Sequence, residues 1–152
     1  MADKGSVHEI VGIIFPFLPL HVPRFFENGK TVFVKFFGKE TVPLRLRSGH
    51  KLFFYESGGR KVIVGEATIV QVTGERADQV FTRFGEELFL ARSELQDYIG
   101  DRGTRRVLVL VVKEAKSYTI PLRLKKSVTM AGCYMTKKMY DDLRARAGEP
   151  SN

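Results

Sequence analysis

A single cysteine, Cys133, stands among 152 residues, so the chain has no internal disulfide framework and agrees with a reducing compartment. No run approaches the ~18 uninterrupted apolar residues of a membrane-spanning helix. The nearest competitor is Val7–Val22, but Pro16 and Pro19 interrupt it and no small-residue cleavage signal follows. A cytoplasmic protein with no membrane partner is therefore expected. His8, His21 and His50 are widely spaced and form no metal-ligand pattern with Cys133, so neither a metal nor a cofactor is expected. The chain also lacks a glycine-rich loop followed by Lys and Ser or Thr, the usual phosphate cradle. Long repeats and low-complexity tracts are absent as well. The acid pairs Glu86-Glu87 and Asp141-Asp142 identify no two-metal or glycosidase site, because adjacent side chains do not project together.

Charge is what the chain has in excess. Lys and Arg number 25 against 17 Asp and Glu, a formal +8, which favours an acidic partner such as an RNA or DNA backbone; a generic basic, soluble surface is the competing explanation. The length suits one hydrophobic core, so residues 1–152 are expected to form a single domain with GEPSN as a short flexible tail.

The apolar runs Lys51–Glu56 and Lys61–Val72 flank Ser57-Gly58-Gly59-Arg60, and that pattern predicts a hairpin. Lys30–Phe37 supplies a third strand. Val7–Phe17 reads as a short strand and turn, and Leu18–Asn28 as a short helix or lid. Thr41–Leu46 reads as an edge strand because of Pro43, with Arg45 and Arg47 alternating against Leu44 and Leu46. Ala77, Val80, Phe81 and Phe84 recur at helical spacing within Glu75–Phe84. A second helix is expected over Arg92–Ile99, with Ser93 or Ala91 at its start, and a third over Lys137–Ala147, capped by Thr136. Val107–Val112 is apolar throughout, which predicts a strand covered on both faces. A turn at Lys113–Ser117 then leads to its partner, Thr119–Leu124, at an edge or bulge because of Pro121.

The segment RFFENGKTVFVKFF (Arg24–Phe37), the Lys51–Glu56 strand and Val64-Gly65-Glu66-Ala67 together resemble the PUA-like superfamily of small pseudobarrels, especially its archaeal uncharacterised branch and the neighbouring ASCH group. Similarity in LARSELQDYI, the following aliphatic strand and VTMAGCYMTKKMYDDL extends the resemblance over nearly the whole chain. It implies a mixed α+β fold: a PUA-like small β-barrel or pseudobarrel with peripheral short helices. It also implies an RNA-related role, since such barrels often contact RNA or modified nucleotides. ASCH relatives with hydrolase activity use a lysine near a Gly-Lys start and a glutamate three residues later. Gly29 and Lys30 match that start, but Phe33 occupies the glutamate position. Phenylalanine transfers no proton, so acid/base chemistry does not carry over.

The leading expectation is a noncatalytic RNA-binding domain with a basic strand-and-loop surface. Arg24, Lys30, Lys35, Arg45 and Arg47 are the phosphate candidates, Tyr55 the stacking candidate, and Arg60 and Lys61 the contacts at the hairpin tip. Ordinary solvated charge and hairpin packing compete with these roles. Glu66, Thr129, Gly132 and Tyr134 mark a candidate pocket, with Lys125, Lys126, Lys137 and Lys138 around it; a structural bend and, for Glu66, a salt bridge compete there. The alternatives are a small hydrolase acting on a modified nucleoside, or a protein-interaction module.

Overall fold

The computed structural model describes residues 9–36, 45–58 and 60–148. The expected hairpin is present: β3 (Lys51–Glu56) runs antiparallel to β4 (Val62–Arg76), with Leu52 opposite Ala67 and Phe53 opposite Glu66. On its other side β3 lies parallel to β1 (Ile10–Phe17), which pairs in turn with the short β6 (Cys133–Thr136). β4 pairs with the long β5 (Arg106–Arg123), and β5 with β2 (Val32–Phe36). The sheet order is β2-β5-β4-β3-β1-β6. Four α-helices accompany it among the described residues: α1 (Val22–Phe26), α2 (Val80–Phe84), α3 (Arg92–Ile99) and α4 (Lys137–Gly148).

Both faces of the sheet's centre are covered, which explains why KLFFYE shows no polar alternation. Leu52 and Phe54 join one core with Ile13, Phe15 and Phe17, against α1 and α3. Phe53 and Tyr55 join the other with Ile14, Met135 and Leu143, beneath α4. In the first core the ring of Phe17 lies 4.7 Å from that of Phe54 and 5.8 Å from that of Phe25, while Phe33 lies 5.4 Å from Phe89. Each such side chain contributes about 1.5–3 kcal/mol by leaving water. The phenylalanines of this chain are therefore mainly core material.

The local signals at the helix ends survive in the fold. The Thr136 hydroxyl accepts the Met139 N–H at 3.2 Å and caps α4 as expected. α3 starts after Ala91, whose N–H donates to the Glu94 carboxylate at 2.8 Å. That is half of a capping box, with the acid reaching back.

Three expectations are corrected. The sheet is not a barrel: β2 and β6 stand at its two ends, and no ladder joins them among the described residues. Closure needs the terminal strands to meet in register. Instead β6 has only four residues and passes directly into α4, while the outer edge of β2 meets Leu88 through a bridge at Val32. Second, Lys113–Ser117 is not a turn between two strands but the middle of β5. Glu66 and Thr68 of β4 face Lys116 and Lys113, so one extra residue bulges from β5, and Glu114 takes a φ of 55° there. A polar composition that reads as a turn thus encodes a bulge that bends a continuous strand. Third, β6 is a strand that the sequence patterns do not predict. The expected strand Thr41–Leu46 falls mostly outside the described residues.

Gly12 sits opposite Lys51 in the parallel ladder, where a Cβ would come within 2.8 Å of the Lys51 carbonyl carbon. Gly12→Ala is expected to force β1 and β3 apart and lower stability by about 1–3 kcal/mol in urea denaturation, whereas an unchanged midpoint would contradict this packing.

Candidate nucleic-acid interface

The cations singled out in the sequence are largely engaged within the fold. Arg24, on α1, donates to both Glu94 carboxylate oxygens, at 2.5 and 2.9 Å, and to the Phe89 carbonyl at 3.0 Å, tying α1 to α3. Those guanidinium bonds, with the Ala91 N–H, hold the Glu94 carboxyl down at about 2. The Lys30 ammonium donates to the Glu86 carbonyl at 2.6 Å, and Lys35 lies half-buried 5.6 Å from the Phe15 ring, where burial pushes its pKa down. Arg45 and Arg47 are exposed, with the Arg45 guanidinium 5.3 Å from the Tyr134 ring. Tyr55 is only 4% exposed, so its ring has no face for a base. Arg60 and Lys61 are exposed at the hairpin tip, with Arg60 3.6 Å from Glu56. These eight residues do not gather in one groove: Arg24 and Lys30 share a small one of about 350 Å³, and Arg60 lines another elsewhere.

A different set of cations does come together, around α4. A groove of about 930 Å³ lies between α4, β6 and the segment Leu124–Gly132, and carries Lys125, Lys126, Lys138 and Arg146. It shares Leu143 and Arg146 with a second groove of about 600 Å³, to which Arg60 and Arg123 contribute. That groove shares Ile120 and Ala147 with a third of about 360 Å³, lined by Lys116 and Arg144. Eight Lys and Arg thus line three adjoining grooves, against one acid among the described residues, Asp142, which is bonded to Lys138 at 2.9 Å. Helical spacing explains α4's share: Lys138, Asp142 and Arg146 are four apart on one face, beside the inward-facing Met139 and Leu143.

Of the pocket candidates, Thr129 and Gly132 line the largest of these three grooves. Gly132 has a φ of 81°, and a Cβ there would come 2.5 Å from the Phe15 ring, so the turn depends on glycine. Tyr134 points to the opposite core, and Glu66 is buried in the sheet.

Glu66, 3% exposed on β4, accepts hydrogen bonds from the Tyr118 hydroxyl at 2.7 Å and the Tyr140 hydroxyl at 2.9 Å, and pairs with the Lys51 ammonium at 3.2 Å. Burial alone would raise its pKa. The three donors outweigh burial and hold the carboxyl below its ordinary value, while burial and the shared carboxylate push both tyrosine hydroxyls up. An ionised carboxylate with both oxygens occupied is a fastening between β3, β4, β5 and α4 and is not poised to move a proton. Among the described residues no group of His, Cys, Asp and Glu is arranged to hold a metal, and no helix is long and apolar enough to cross a membrane.

Residues 10–137 match the family model described as a domain of unknown function, DUF365. The chain belongs to this family. No curated protein matches its sequence. Among solved structures, the ASCH protein from Zymomonas mobilis superposes with a TM-score of 0.72 at 16% identity, covering 89% of this chain and 94% of that one. One of its single-substitution mutants reaches 0.75 at 16% identity, covering 92% and 99%. The N-terminal domain of Staphylothermus marinus McrB gives 0.53 at 13% identity, covering 91% and 97%. At these identities the likeness is one of fold: this DUF365 chain shares the small α+β architecture of ASCH.

Sequence reasoning noted the cations that follow β5 but missed Arg144 and Arg146 as their partners across a groove, and missed Tyr118 and Tyr140 as the partners of Glu66. The eight-residue spacing of Lys138 and Arg146 was the available signal for the first. For Glu66 there was only an acid within an apolar run.

Because the folded pKa of Glu66 lies below the ordinary 4.5, its ionisation stabilises the fold above that value and is lost as pH falls through the folded value. Glu66→Gln is expected to lower stability at pH 7 by about 2–3 kcal/mol. The gap to the unsubstituted protein should narrow below about pH 4.5 in thermal melts; a gap constant down to pH 3 would contradict the ionised assignment.

Proposed function

We propose that this protein is a noncatalytic RNA-binding domain that holds the phosphate backbone of structured RNA along the grooves around α4. One observation carries the reading: eight cations line three adjoining grooves whose one acid among the described residues, Asp142, is already paired. Such a band offers phosphates direct neutralisation and counterion release.

In the two smaller grooves the character of the lining favours backbone over base recognition. Tyr118 is the one aromatic residue lining the three grooves among the described residues, and its hydroxyl is committed to Glu66. Single-stranded recognition depends on stacking platforms, whereas duplex RNA is held through shape, phosphates and sugar hydroxyls. Arg60 stays in the proposed interface, and Arg45 and Arg47 become outlying contacts. Kinship with the PUA-like superfamily and its archaeal branch, and residence in the cytoplasm, belong to the same proposal. The hydrolase alternative gains no support, since Phe33 is packed in the core and Glu66 is fully engaged.

Fluorescence anisotropy with an RNA hairpin across a salt series tests the reading. Affinity is expected to fall steeply with salt, and Arg123→Ala with Arg146→Ala to flatten the log–log slope by about 1–2. Arg24→Ala should lower the melting temperature and leave the slope unchanged. Equal slopes for the unsubstituted protein and the Arg123/Arg146 double variant would refute this interface.

A further inference from the structure

The largest of the three grooves differs from the other two in more than size. Its floor is aliphatic, made by Ile14, Leu124, Val128, Met139 and Leu143. Lys125 and Lys126, both exposed, stand at its mouth together with Lys138 and Arg146, and Ser127 and Thr129, also exposed, add hydroxyls to the lining. Lys138 is tethered to Asp142, and Arg146 donates to the Arg123 carbonyl at 3.3 Å, which fixes the direction of two of the four cations. Gly132, locked against Phe15 and Ile14, sets the shape of the turn that forms the far wall.

A phosphate backbone alone is a poor occupant of such a space. It would gain from the cations, but pushing phosphates against an aliphatic floor strips their water with nothing to replace it. The fitting occupant has a flat, largely apolar body, polar edges for the hydroxyls, and an anionic group that stays at the mouth. We infer that this groove takes one nucleoside monophosphate unit, presented by the bound RNA as an unpaired residue, with the base on the aliphatic floor and the phosphate between Lys125, Lys126 and Arg146. The volume, about 930 Å³, lies within the range of small-ligand pockets, roughly 300–1,000 Å³. The inference rests on the RNA-binding reading: the other two grooves hold the duplex, and this one receives the nucleotide that leaves it.

Cys133 supplies the test, being the chain's one cysteine, exposed, and part of the groove wall. Alkylation of its thiol by N-ethylmaleimide is timed by mass spectrometry with the full-length protein alone, and then with inorganic phosphate, the four nucleoside monophosphates, a blunt RNA duplex, or the same duplex carrying one unpaired 3′ nucleotide. The monophosphates and the overhang duplex are expected to slow alkylation at least fivefold, while phosphate and the blunt duplex leave it nearly unchanged. Protein alkylated beforehand should bind the overhang duplex no better than the blunt one. Protection by the monophosphates without added protection by the overhang overturns presentation of the nucleotide by RNA and leaves a site for a free one. Equal protection by inorganic phosphate, or by the blunt duplex, overturns the inference by reducing the groove to an anion or shielding effect. Salt-steep binding of the blunt duplex with no protection by any nucleotide overturns the inference and leaves the RNA-binding reading standing. Failure of every RNA to bind removes that reading as well.

Discussion

The seating of α4 on the sheet is the constraint on which the rest of the molecule depends. Apolar packing of Met139 and Leu143 places the helix, and the bond from Tyr140 to Glu66 fixes its position along the strands. The carboxylate is expensive to bury, so the site is stable only with its donors in place, and those donors come from β3, β5 and α4. A generic apolar contact would let the helix slide. The directional bonds to a single carboxylate oxygen do not, and each of the three basic grooves has α4 for a wall.

Net charge alone says little about where a partner binds, because the fold uses part of that charge internally. Arg24 clamps two helices, Lys30 caps a carbonyl, Lys35 lies over a ring and Lys51 neutralises Glu66. These groups lie beside partners that become visible only in three dimensions. Of the cations that line the three adjoining grooves, Lys138, Arg144 and Arg146 have partners too, in Asp142, the Tyr140 hydroxyl and the Arg123 carbonyl, whereas Lys116, Arg123, Lys125 and Lys126 face solvent. The contrast between engaged and solvent-facing charge, more than the total of +8, distinguishes a binding surface from solubility.

The sequence made legible those features that depend on local chemistry. The hairpin flanking Ser57-Gly58-Gly59-Arg60, the Thr136 cap and the α3 helix all follow from turn, capping and periodicity rules that act over a few residues. What failed depended on long-range geometry. A polar segment, Lys113–Ser117, looked like a turn because its composition conceals the bulge that keeps it in the ladder with β4. Closure of the sheet could not be judged from strand content, since it is decided by whether two short end strands meet. The engagement of the candidate cations was hidden for the same reason: Arg24 and Lys30 look available until Glu94 and the Glu86 carbonyl, about sixty to seventy residues away, are brought beside them.

The central claim is that α4, held by Glu66, turns scattered basic residues into one RNA-facing surface. Ultraviolet crosslinking of the full-length protein to a structured RNA, with contacts mapped by mass spectrometry, tests it most directly. The account predicts crosslinks concentrated in Lys116–Gly132 and α4, and their loss in Tyr140→Phe with Glu66→Gln under conditions where that variant stays folded. Crosslinks confined to Arg24–Lys35, or undiminished when the helix is released, would contradict it.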